Sequence, residues 1–182
     1  IILTLLLAIT FLFQVSKKQY FFIPLTNSFY YFLSFFYFVT IFYAFFLKKA
    51  KDLRKFAMIQ VFSDHLLITG LIYFTGGKES FFPITYFFSI IGSSTLFYRR
   101  GAFFSASLST FLYGLLLLLQ LHHWINPLGQ PRLYDASQIF YSLILYMAAF
   151  YIVAFLSSTI SEELKKKKHE LIQKQVDYDQ LE

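Results

Sequence analysis

ASQIFYSLILYMAAFYIVAFLSSTISEELKKKK, residues 136–168, is the stretch whose reading decides the fold. From Ala136 to Ser158 it carries no charged side chain, and it exceeds the roughly 20 residues that a helix needs to cross about 30 Å of hydrocarbon. Neither Gly nor Pro interrupts the passage into Ser161, Glu162, Glu163, Leu164 and the block Lys165–Lys168. One helix is therefore expected to leave the membrane and continue into the cytoplasm.

The rest of the chain agrees with lipid as its solvent. Of 182 residues, 57% are hydrophobic and 14% charged, where an ordinary soluble domain has about a quarter charged. The 26 Phe and 14 Tyr follow from a codon preference for Phe, Ile, Lys and Tyr as readily as from a ligand box, and the codon reading is preferred. The absence of Cys rules out a disulfide framework and a thiolate metal site. A formal charge of +6 could point to nucleic acid. The basic residues, however, fall in short blocks at the ends of apolar runs, where the positive-inside rule and anionic headgroups account for them. Membrane lipid is the expected partner, and no nucleic-acid role is assigned.

Working outward from residues 136–158, five further apolar runs are found, at about 1–15, 26–47, 56–74, 81–98 and 102–121. The first is shorter than a span, which a missing N-terminal turn or two explains. A cleaved signal peptide is the alternative, but no small-residue cleavage site follows it. Both ends look cut, so a longer parent protein is expected. Pro24 precedes the second run, with Thr26, Asn27 and Ser28 available as caps. The turn Thr75-Gly76-Gly77-Lys78-Glu79-Ser80 ends the third, and Ser80 can cap the next. Only Arg99, Arg100 and Gly101 separate the fourth run from the fifth, which forces an antiparallel hairpin. The interruption His122–Asp135 carries Trp124, Pro127, Gly129 and Pro131.

The expected fold is thus all-α: a polytopic membrane bundle of about six spans over 1–158, followed by a cytoplasmic signalling helix over 159–182. Twelve of the 16 Lys and Arg lie between runs two and three, between runs four and five, or in the C-terminal helix. The opposite side holds Lys17, Lys18, Lys78 and Arg132. By that asymmetry both termini face the cytoplasm of a bacterial inner membrane.

Asp64 and His65 fall near the middle of the third run, where an ionisable side chain costs several kcal/mol unless paired or hydrated. They read as a proton- or ligand-responsive switch, or else as a neutral Asp bonded to Gln60 or to a Ser on another helix. His122 and His123 are adjacent, so on a helix they diverge by about 100° and make a poor metal pair even with Asp135. No metal site is assigned. His169-Glu170-Leu171-Ile172 is like part of a phosphoacceptor box, but Gln173 and Lys174 stand where Asn or Thr and then Pro usually follow, and a solvated helix face is the simpler reading. Leu164, Leu171 and Tyr178 recur every seven residues, with Ile160 and Leu181 on the companion position. This weak seam fits a parallel dimer or a single amphipathic helix on the headgroups. There is no HExxH helix, GxSxG elbow or P-loop, so no catalytic residue is assigned.

Asp64 in the third run, Thr75-Gly76-Gly77 with Ser80 shortly after, Arg99-Arg100-Gly101-Ala102 and the exit helix from Ser161 together resemble the membrane region of PilS-type sensor histidine kinases, which control type IV pilin transcription and are related to nitrogen-regulation kinases. The resemblance covers roughly residues 56–182. It implies a six-span sensor followed by a PAS domain, a His-containing dimerisation domain and an ATP-binding domain, working as a homodimer that passes phosphate to a response regulator. ATP and Mg would serve the kinase domain, not this segment, and the phosphoacceptor would lie beyond Glu182. It also implies that a membrane protein such as pilin can be sensed within the bilayer. On this reading Asp64, His65, Gly76, Gly77 and Ser80 are sensing candidates, and Ile160, Leu164, Leu171, Tyr178 and Leu181 form the signalling and dimerising helix. The alternatives are a small transporter or channel subunit and a passive anchor. Transport has only Asp64, His65, Gln60 and Gln120 for a polar path, and no span is broken at its midplane.

Overall fold

The structure, a computed structural model, describes residues 27–47, 52–125 and 135–179. The first expected run and Leu181 lie outside them. Four α-helices follow in order: α1 (Asn27–Leu47), α2 (Leu53–Phe74), α3 (Thr85–Leu121) and α4 (Ala136–Asp179), with two 3-10 turns, Gly77–Glu79 and Phe82–Ile84, between α2 and α3.

α2 begins three residues before the expected Phe56, because Asp52 caps it. Its carboxylate accepts from the backbone N–H groups of Arg54 at 3.1 Å and Lys55 at 3.2 Å, satisfying donors that a helix start leaves free. Arg54 and Lys55 therefore belong to the first turn rather than to a loop. The helix ends at Thr75, after which Gly76 and Gly77 take φ of 114° and 62°, angles that cost little without a Cβ. α3 starts later than the expected residue 81. Ser80 Oγ accepts from Phe82 N at 3.1 Å, but that bond opens the 3-10 turn holding Pro83, and regular α-helix begins at Thr85.

α3 is two arms, not one rod. At Tyr98 the backbone leaves helical geometry, with φ 57° and ψ −144°, a conformation costing about 1–3 kcal/mol for a residue with a side chain. Ser89 and Ser105 would lie about 24 Å apart along a straight helix, yet both hydroxyls reach the same ring, that of His65, at 3.1 and 2.9 Å. The chain doubles back between them. The reversal is tight enough that a Cβ on Gly101 would meet the Phe97 side chain and would lie 2.5 Å from the Ser93 carbonyl oxygen.

The two arms of α3 pack against α4, and α2 closes the group. Their shared core holds Ile68, Ile72, Tyr86, Ile90, Tyr113, Leu117, Ile139 and Phe150. Ala102, Ser105, Ala106 and Ser109 are buried along the second arm, where small side chains let helix backbones approach. α1 leans on α2 through Phe32, whose ring contacts that of Phe74 at a centroid distance of 4.9 Å. The outside is apolar instead of polar: Phe88, Phe111, Ile144 and Ile152 are all exposed. Among the described residues three helical segments, Leu53–Phe74, Phe82–Leu121 and Ala136–Asp177, are long and apolar enough to cross a membrane. α4, with 44 residues, is about 66 Å long, roughly twice the hydrocarbon thickness, so it must project beyond the bilayer if its apolar half lies inside.

Candidate functional site

His65 is the centre of the polar interior. Val61, His65 and Thr69 stand four residues apart on α2, so they share one face, and that face meets the groove between the two arms of α3. His65 has no exposed surface. Its Nδ1 lies 2.7 Å from the Val61 carbonyl oxygen, a separation that requires a proton between them. Nδ1–H therefore donates to Val61, with Ser89 Oγ at 3.1 Å as a second acceptor. Nε2 then accepts from Ser105 Oγ at 2.9 Å. The Ser105 carbonyl oxygen waits 3.2 Å from the same nitrogen, so a proton arriving at Nε2 would find an acceptor with no movement of the ring.

One turn along, Thr69 Oγ1 donates to the His65 carbonyl oxygen at 2.7 Å and sits 2.6 Å from Tyr86 OH. Tyr86 is fully buried, with its ring 5.6 Å from that of His65 and edge-on to Phe150 of α4 at 5.4 Å. Phe150 contacts Tyr146 in turn, and Tyr146 contacts Tyr113. An unbroken run of rings thus joins the His65 cluster to α4. Ser93 Oγ and Tyr113 OH are buried without a partner among the described residues.

Asp64 does not join its neighbour. It is half-buried, and no hydrogen bond or ion pair ties it to Gln60 or to any described Ser. The polar partners foreseen for the carboxylate belong instead to the imidazole, because successive helical residues diverge by about 100° and only His65 faces the α3 groove.

The turn with Gly76, Gly77 and Ser80 forms a second locus about 15 Å along α2 from His65, at 1.5 Å per residue. Thr75 Oγ1 donates to Leu71 O at 2.7 Å and meets Ser80 Oγ at 2.6 Å. Gln120 Oε1, at the end of α3, accepts from Lys78 N at 3.2 Å, and Gln138 Oε1, at the start of α4, accepts from Lys78 Nζ at 3.0 Å. The turn therefore fastens α2, α3 and α4 at one end of the bundle. His122 and His123 also finish α3 here in a structural role. His123 takes φ 57°, with its N–H bonded to Gln120 O and that of Trp124 bonded to Leu119 O, the pattern of a Schellman stop. His122 Nδ1 donates to Leu118 O at 3.0 Å.

At the opposite end α4 is held by the hairpin. Ser161 Oγ lies 3.1 Å from Ser94 Oγ, and Lys165 Nζ stands 4.5 Å above the Tyr98 ring. On the same helix Ile160 and Leu164, within this junction, and Leu171, beyond it, are exposed, and Tyr178 sits in its last turn.

Of the cluster, sequence reading found His65 but not Thr69, Tyr86, Ser89 or Ser105. The available signal was the four-residue step from His65 to Thr69, and from Ser105 to Ser109, within otherwise apolar runs.

Apolar side chains outside and hydrogen-bonded polar groups inside are what lipid demands of a bundle, and they define an α-helical membrane domain. More narrowly, the chain belongs to the family of PilS-like transmembrane domains, whose sequence model matches residues 1–171. Among curated proteins and among solved structures nothing matches the chain. The family expected from residues 56–182 is met, and the match also takes in the N-terminal runs.

Proposed function

We propose that this chain is the sensing and dimerising membrane region of a two-component sensor histidine kinase, with α4 as the lever that carries the signal out of the bilayer. The observation that carries the reading is the ring contact from the His65 cluster through Tyr86 to Phe150, because α4 then runs without a break past Ser161 and Lys165. A change at α2 or α3 has a rigid element to push. Membership of the PilS-like family supports the same role.

Asp64 is the proposed contact point for the signal. A half-buried carboxylate without a partner among the described residues is costly in lipid, so a polar group on an incoming membrane protein, such as a pilin subunit, would bind the arrangement that presents Asp64 and shift the bundle towards it. The bundle sits in a bacterial inner membrane with the hairpin end inward. Arg54, Arg99, Arg100 and Lys165 gather at that end, whereas Lys78 marks the other. The kinase domains beyond α4 would use ATP and Mg, autophosphorylate on His and pass phosphate to a response regulator, as a homodimer.

The test uses the full-length protein in membranes with labelled ATP and Mg. Two residues inserted after Leu164 turn everything downstream by about 200°, whereas seven return it to within about 20° of register. Autophosphorylation should change at least about fivefold with two residues and stay near wild type with seven, the rotation changing a coupling of about 1 kcal/mol. Equal output from both insertions removes the lever, and a full-length protein that never takes up phosphate removes the kinase.

A further inference from the structure

Where the hairpin meets α4 there is an open cleft of about 590 Å³. Arg54 reaches it from the first turn of α2, Arg99 and Arg100 from the hairpin tip, and Glu162 from α4. Among the described residues no carboxylate comes within 4 Å of any of the three guanidinium groups, Glu162 included. Phe97 and Phe103 supply an apolar wall, and the Arg99 guanidinium lies over the Phe103 ring at 5.9 Å, which limits its freedom while leaving its N–H groups available. Tyr98, whose left-handed φ of 57° makes the chain reversal, sets Arg99 and Arg100 at the rim.

We propose that this cleft binds the phosphate of an anionic phospholipid, and that the bound lipid ties α2, the hairpin and α4 together. Arg forks match phosphate oxygens two at a time. The aromatic wall gives the glycerol and upper acyl chain a surface that inorganic phosphate would not use. The cleft also stands where all three elements pass from apolar to charged sequence, the level of headgroups in a bilayer. The inference rests on the membrane placement of the bundle and not on the kinase reading, so it survives if the parent protein proves to be no kinase. Its consequence is regulatory: Ser94–Ser161 and Lys165–Tyr98 lie at the same junction, so lipid there holds the exit of α4 against the hairpin.

Native mass spectrometry of the purified protein, titrated with phosphatidylglycerol and with phosphatidylcholine, tests it. Phosphatidylglycerol should bind about tenfold more tightly, and R99Q/R100Q should abolish that preference. K167Q/K168Q, which removes the same charge from exposed α4, should keep it. E162Q should tighten binding about threefold, given the charge it removes, which a misfolded variant could not do, and R54Q, away from the hairpin, should weaken phosphatidylglycerol more than phosphatidylcholine, an equal effect on both counting against the site. Equal losses in R99Q/R100Q and K167Q/K168Q would mean only diffuse surface attraction and overturn the site. Displacement of lipid by millimolar inorganic phosphate would assign the cleft to a soluble anion and overturn the lipid.

Discussion

His65 and Asp64 are adjacent in sequence and opposite in circumstance. His65 is bonded through Nδ1 to Ser89 on the first arm of α3 and through Nε2 to Ser105 on the second, whereas Asp64 has no partner among the described residues. Interhelical hydrogen bonds in a bilayer are worth about 0.6 kcal/mol each on average. H65L, which keeps the volume but breaks the bonds and strands Ser105 Oγ, should therefore destabilise the bundle by about 1–3 kcal/mol, read as a fall in the denaturant midpoint of the helical signal. D64N, which replaces an unpartnered carboxylate by a neutral amide of the same shape, should leave that midpoint unchanged or raise it while altering signal output. If D64N unfolds the bundle as H65L does, Asp64 is structural and the sensing role is lost. The sequence could flag both residues, because any ionisable group at mid-span stands out. It could not say which one was partnered, since that depends on which helix face meets the groove.

Among the elements, α3 carries the most information per residue. Its reversal needs Gly101, because a Cβ there would strike backbone as well as the Phe97 side chain. Gly114 faces only the tip of Leu143, 3.2 Å from where its Cβ would be, and that side chain can turn aside. G101A should thus cost about 1–3 kcal/mol and G114A under about 1 kcal/mol, measured by thermal melting of the two purified variants. Equal melting points would mean that the two arms of α3 are not closely apposed. The short Arg99-Arg100-Gly101 joint made a reversal legible in advance. Its position at Tyr98 did not stand out, because a positive φ at an aromatic residue is imposed by packing around it and is not favoured by the residue itself.

For the whole molecule, α4 presents apolar side chains to the outside where it leaves the bundle. Ile160, Leu164 and Leu171 are exposed in the single chain, as expected if a second copy covers them in a parallel pair. The chain has no Cys, so single-cysteine variants report cleanly. I160C, L164C and L171C should form cross-linked dimers in membranes at several times the yield of K166C or E163C. A flat pattern along α4 would exclude the paired helix.

The amino-acid sequence alone determined that this chain lives in lipid, that it is helical and that its last helix runs on past the apolar run. Those properties follow from composition, run length and the lack of Gly or Pro, each of which acts locally. The tertiary structure alone decided that the imidazole and not the carboxylate fills the interior. It also decided that Ser80 opens a 3-10 turn before Thr85, and that three arginines from distant segments line one cleft. Those outcomes depend on which helix faces meet, and facing is a property of the packed bundle that no single stretch of residues carries.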